Sequence, residues 1–136
     1  MILLDTDVLS HLLRPDARLG VVERLRQVPM RNRFISAISV GEIVYGIERT
    51  RRNEAIRARL EADFLARIEV LPFDTQAART YGRLRASLER AGQPLDEPDM
   101  RIASIAISRG LTLISGNESH FGRVPGLSLE NWLSGT

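Results

Sequence analysis

Met1-Ile2-Leu3-Leu4-Asp5-Thr6-Asp7-Val8-Leu9-Ser10 opens the chain with an apolar run that stops abruptly at a carboxylate. Ile-Leu-Leu bounded by a polar break reads as a strand buried on both faces, and the carboxyl end of such a strand is where open α/β sheets bind ligands. Asp5 therefore has two readings. It caps the helix that follows, accepting hydrogen bonds from free N–H groups, or it faces a ligand above the sheet. Asp7 is open to the same pair of readings.

Beyond this stretch the elements alternate. Val8, Leu9, Leu12 and Leu13 share a helical face that Pro15 closes, and a second helix is expected from Ala17 to Gln27 with Leu19, Val22 and Leu25 inward. Phe34-Ile35-Ser36 reads as a short strand. Ser39-Val40-Gly41-Glu42 fits a capping box opening the next helix, which gives Glu42 a structural job. Thr50 to Asn53 reads as a turn and Glu54 to Arg67 as a helix. Ile68 to Phe73 follows as a strand that Pro72 confines to an edge or an end. Asp74 caps a long helix from Thr75 to Arg90, stopped at Ala91-Gly92. Pro98 suits the first turn of a helix running through Arg109 to Gly110, with Asp96 as its cap. Leu111 to Ile114 is a buried strand broken at Ser115-Gly116-Asn117, and a last strand is expected near Leu127 to Leu129. Trp132, the only tryptophan, reads as a core plug or an interface anchor. This order predicts an α/β fold, a three-layer α/β/α sandwich around a short, mainly parallel central sheet of four or five strands.

Composition narrows the chemistry. At 136 residues the chain suits a single domain, residues 1–136, and no apolar run nears the ~20 residues of a membrane span. The N-terminus lacks the basic region and cleavage site of a secretory signal, so a cytoplasmic protein is expected. With no cysteine and only His11 and His120, thiolate sites and ordinary zinc sites are excluded, and any metal should be a hard cation held by oxygen, Mg²⁺ or Mn²⁺. All 19 cationic residues are Arg. The planar guanidinium suits phosphate, and Arg49, Arg51, Arg52, Arg57 and Arg59 form either a nucleic-acid patch or a solvated face paired with Glu48, Glu54 and Glu61.

Three acidic residues recur at equivalent topological places. Asp5 follows the first strand, Glu42 lies early in a helix after the second, and Asp99 sits in a first helical turn, sharing a face with Ile102 and Ala103. Asn117 follows the strand ending at Ile114. In a parallel sheet these places are neighbours, and crowded carboxylates cost several kcal/mol unless a cation neutralises them.

The segments Met1 to Ser10 (MILLDTDVLS), Ile38 to Gly46 (ISVGEIVYG), Gly92 to Ala106 (GQPLDEPDMRIASIA) and Leu113 to Trp132 (LISGNESHFGRVPGLSLENW) resemble the PIN-domain ribonuclease toxins of VapC type. The resemblance spans essentially the whole chain and implies a PIN-like fold. It also implies Asp5, Glu42 and Asp99 around Mg²⁺ or Mn²⁺, cleavage of tRNA or another structured RNA, a VapB-type antitoxin that blocks the site, and a homodimer. The fourth site position of the family is often Asp; here it is Asn117, which keeps an oxygen acceptor but removes a charge. Asp7 is then an acceptor beside the metal, and Thr6 either bonds near the metal or packs the turn.

Two rivals share these residues. A catalytically weakened PIN-like binding scaffold would explain Asn117. A haloacid-dehalogenase-like phosphatase would use Asp5 as nucleophile and Asp7 as acid/base, but that family relies on a downstream Lys and this chain has none.

Overall fold

The computed structural model describes residues 1–50 and 53–134. Among them five short strands run in one direction: β1 (Ile2–Leu4), β2 (Arg33–Ser36), β3 (Glu69–Leu71), β4 (Thr112–Ile114) and β5 (Ser128–Glu130). They are ordered β3-β2-β1-β4-β5, every neighbouring pair parallel. The opening stretch is thus the central strand. The chain builds leftward from it through β2 and β3, then returns to its right with β4 and β5, which makes the β1/β4 boundary the switch point of the sheet. Pro72 lies directly after β3, an edge strand, as its missing N–H requires.

Among the described residues seven α-helices cover the sheet: α1 (Thr6–Leu12), α2 (Leu19–Arg26), α3 (Ala37–Thr50), α4 (Glu54–Arg59), α5 (Thr75–Arg90), α6 (Glu97–Arg109) and α7 (Glu118–Phe121). A π-helical stretch, Leu60–Leu65, continues α4. The two-residue period of a strand sorts side chains between the layers. Ile2 and Leu4 join Ile35 and Ile114 in a core with α1, α2 and α3, whereas Leu3 and Leu113 join Ala77, Leu84, Ile102 and Ile105 in a core with α5 and α6. Each fully buried Leu or Ile here contributes about 1.5–3 kcal/mol of transfer free energy.

Three local expectations change. Leu19, expected inward, is 72% exposed; α2 starts at Leu19 instead of Ala17, and Val21 with Leu25, four apart, bury its apolar stripe. The capping box is out of frame. Helix α3 begins at Ala37, and it is the Ser36 hydroxyl that accepts the Ser39 N–H at 3.0 Å, so Ser39 lies inside the first turn and Glu42 is released from capping. Asp96 occupies the cap position of α6 without a side-chain capping bond, and Asp5 does the same for α1. Asp74, by contrast, accepts the Ala77 N–H at 2.9 Å and caps α5 as expected. Trp132 is a core plug, 7% exposed, with the Arg24 guanidinium 5.4 Å from its ring centre.

Among the described residues no helix is long and apolar enough to cross a membrane. Of the five-Arg patch, Arg51 and Arg52 lie outside the described residues. Arg57 pairs with Glu48 and Glu54, Arg59 donates to the Leu13 carbonyl, and Arg49 lies 5.6 Å from the centre of the Tyr45 ring. The paired-face reading therefore holds for Arg57.

Candidate active site

Strand register explains why polar groups gather at one edge. Leu4 lies level with Ile35 on one side and Ile114 on the other, so the next residues, Asp5, Ser36 and Ser115, form one row across the carboxyl end of the sheet. All three are buried, at 5%, 0% and 0% exposure. Buried polar groups need partners, and these find them in one another and in the helices that start there.

Asp5 accepts a hydrogen bond from the Ser115 hydroxyl at 2.7 Å, across the β1/β4 boundary. Burial pushes the Asp5 carboxyl up to about 7; the Ser115 hydroxyl opposes that rise and the neighbouring Asp7 charge adds to it. Capping does not explain Asp5, because it makes no side-chain capping bond and points at β4.

Glu42 is held by a run of hydroxyls. Ser36 donates to Ser39 at 3.3 Å, the Ser39 and Thr6 hydroxyls lie 2.9 Å apart, and Thr6 donates to Glu42 Oε1 at 2.6 Å. The relay aims a carboxylate from α3 at the start of α1. Thr6, left between metal-side bonding and turn packing by the sequence, bonds a site carboxylate.

Asp99, in the first turn of α6, is largely buried, and its carboxyl is pushed up by burial while a hydrogen bond to His120 works against the rise. The contact joins Asp99 Oδ2 to His120 Nδ1 at 3.4 Å. Asn117 lies beside the same ring, its amide nitrogen 2.9 Å from His120 Nδ1, and its own N–H donates to Ser115 Oγ at 3.0 Å. Asp7 accepts the Gly116 N–H at 2.9 Å through Oδ2, while its Oδ1 is buried without a hydrogen-bond partner among the described residues. Gly116 has a positional reason to be glycine: a Cβ there would stand 3.0 Å from Asp7 Oδ2 and from Leu133.

Asp5, Thr6, Asp7, Glu42, Asp99 and Asn117 all line one cavity of about 510 Å³. The four residues expected at the site are thus brought to a single place. Among the described residues no three acidic or histidine side chains close into a metal-holding group; the carboxylates line the cavity wall, each tied to its own hydroxyl, amide or imidazole partner. The donor set nevertheless fits a hard divalent cation. Its members are oxygen donors, two of them are carboxyls that burial keeps from ionising at their ordinary pH, and Asp7 Oδ1 is a buried acceptor awaiting a donor or cation. Sequence reasoning gave no role to Ser115 and set His120 aside. The signal for Ser115 was its position after β4, matching that of Asp5 after β1; that for His120 was its place one helical turn beyond Asn117.

A parallel sheet with acidic residues at its switch point, under helices on both faces, is the architecture of a PIN domain, and the PIN-domain family model matches residues 2–127. The chain belongs to that family. It is 33% identical over 132 residues to ribonuclease VapC2 of Rickettsia felis, covering 96% of each chain. It is 43% identical over 98 residues to the tRNA(fMet)-specific endonuclease VapC of Salmonella typhimurium, covering 72% of this chain and 74% of that one. In structure it resembles a chain of the Rickettsia felis VapBC2 complex bound to a promoter DNA fragment, with a TM-score of 0.87, 32% identity and coverage of 97% and 99%. Within the PIN-domain family, then, the chain is of the VapC toxin type, and the phosphatase reading falls.

Proposed function

We propose that the protein is a Mg²⁺- or Mn²⁺-dependent endoribonuclease toxin that cuts structured RNA, with tRNA as the first candidate, and that a cognate VapB-type antitoxin neutralises it. The observation that carries this reading is the convergence of Asp5, Glu42, Asp99 and Asn117 on one cavity at the sheet's switch point. The relatives support its finer parts. One is named for a tRNA, and the structural neighbour is a toxin–antitoxin complex.

In this reading Asp5, Asp99 and Glu42 hold the cation. When bound, a divalent ion supplies charge neutralisation and activation of water for phosphodiester hydrolysis. The chain's own residues do the rest. Ser115 fixes the rotamer of Asp5, the hydroxyl run ending at Thr6 fixes Glu42, and Asn117 offers an uncharged amide where a further carboxylate would add repulsion. Arg14, on the cavity wall, is paired with Asp16 at 3.0 Å and would exchange that exposed partner for the RNA backbone.

The test is cleavage of a tRNA pool by purified protein with Mn²⁺, Mg²⁺ or excess EDTA. Discrete products that vanish with EDTA and return with Mn²⁺ are expected; cleavage indifferent to EDTA would remove the metal-dependent reading. A homodimer is expected by light scattering, and a strict monomer would count against it. Thr6→Val should lower kcat about tenfold and leave KM for RNA nearly unchanged. Loss of one hydrogen bond to a charged group is worth roughly 1.5 kcal/mol. An unaltered kcat would mean that the Thr6–Glu42 bond only packs the turn.

A further inference from the structure

The imidazole of His120 contacts the site without a role in any step above. It projects from the short helix α7 and stands between two site residues, its Nδ1 3.4 Å from Asp99 Oδ2 and 2.9 Å from the Asn117 amide nitrogen. His120 is partly exposed, so its ring can turn without leaving a cavity in the core. The Nδ1 edge faces the carboxylate that the proposed site needs.

Two donors that share one small cation stand roughly 3 Å apart, because each lies about 2.1–2.2 Å from the ion. The hydrogen-bonded pair His120 Nδ1 and Asp99 Oδ2, 3.4 Å apart, is somewhat wider than that separation, and a cation held between them would take the place of the shared proton. We infer that His120 is a metal-holding residue of this site, contributing a nitrogen donor beside Asp99 where Asn117 supplies no charge. The inference rests on the metal-dependent nuclease reading and sharpens it in one respect, the identity of the ion. Mg²⁺ takes oxygen donors and resists partial dehydration, whereas a first-row transition ion such as Mn²⁺ accepts imidazole. A site with one nitrogen should therefore favour Mn²⁺ over Mg²⁺ more strongly than an all-oxygen site would.

Two measurements on the full chain, neither an activity assay, decide it. Pulsed EPR of the Mn²⁺-loaded protein in a nitrogen-free buffer should show ¹⁴N coupling to the ion, and His120→Gln should abolish that coupling. Competition titration of Mn²⁺ against Mg²⁺ at pH 8 should show the Mn²⁺ affinity of His120→Gln reduced about tenfold while Mg²⁺ affinity changes no more than about twofold. The wild-type spectrum makes the proposal falsifiable even if the variant folds poorly. Mn²⁺ bound without ¹⁴N coupling overturns the role of His120 and leaves the nuclease reading standing. Failure of either ion to bind overturns both.

Discussion

Asp5→Asn should abolish metal-dependent RNA cleavage, by about a thousandfold or more, and at the same time make the metal-free protein more stable at pH 8. The first half follows from removing a charge from the proposed cation's ligand set. The second follows from burial. In the folded chain Asp5 holds its proton up to about pH 7, against an ordinary value of 3.8. Between those values the native state binds more protons than the unfolded one, so stability falls as pH rises. The contribution of the neutral carboxyl is fully present below pH 3.8 and is lost as pH passes through about 7. Its upper bound is on the order of 4 kcal/mol. Asn is neutral at every pH and can still accept from Ser115, so the variant escapes this loss. Thermal melts at pH 5 and pH 8 provide the check: without metal, the Tm advantage of Asp5→Asn should be several degrees larger at pH 8 than at pH 5. Added Mn²⁺ should raise the melting point of the wild type and not of the variant. Equal melting points at both pH values would show that Asp5 is not a charge held at a cost, and full cleavage by the variant would remove it from the chemistry.

How far such a site can be read from a sequence depends on which physical rule places each residue. Asp5 was legible because a buried strand ends there, and the register that puts Leu4 beside Ile35 and Ile114 follows from the parallel sheet. Asp99 was legible because helical spacing ties it to Ile102 and Ala103, both fully buried. Glu42 was legible as a carboxylate but not in its surroundings: Ser39-x-x-Glu42 matches a capping box equally well, and only the actual start of α3 at Ala37 releases it. The hydroxyl run from Ser36 to Thr6 crosses from β2 to α1, a span of some thirty residues that no local pattern encodes. His120 failed for another reason. Counting histidines bears only on zinc, and a count is blind to one imidazole placed beside a carboxylate by a four-residue helix. Leu19 shows the same limit on the apolar side: with the helix starting two residues later than expected, Leu19 falls at its first position and is exposed, while Leu25 of the same expected face stays in the core.

Trp132→Ala should cost about 3–5 kcal/mol of stability, the range for truncating a buried aromatic. Two sequence readings of this residue make different predictions, so the experiment separates them. An interface anchor leaves the isolated fold intact when truncated and weakens only association. A core plug destabilises the fold at every protein concentration. The structure places Trp132 in the core with Leu4, Val8, Leu9 and Ile114, its indole N–H donating to Glu130 at 3.1 Å and Arg24 over its ring. Glu130 closes β5, and its carbonyl accepts the Ser115 N–H at 3.0 Å. Trp132 is therefore packed one step from the residue that holds Asp5. Truncation should lower the denaturation midpoint by the same amount at low and high protein concentration, and it should reduce cleavage even where the protein is still folded, because β5 steadies the Ser115 turn. Trp132→Phe, which keeps the ring but drops the hydrogen bond, should lose about 1–2 kcal/mol. A midpoint for Trp132→Ala that matches the wild type at low concentration and diverges only when the wild type associates would transfer the residue from the core to an interface.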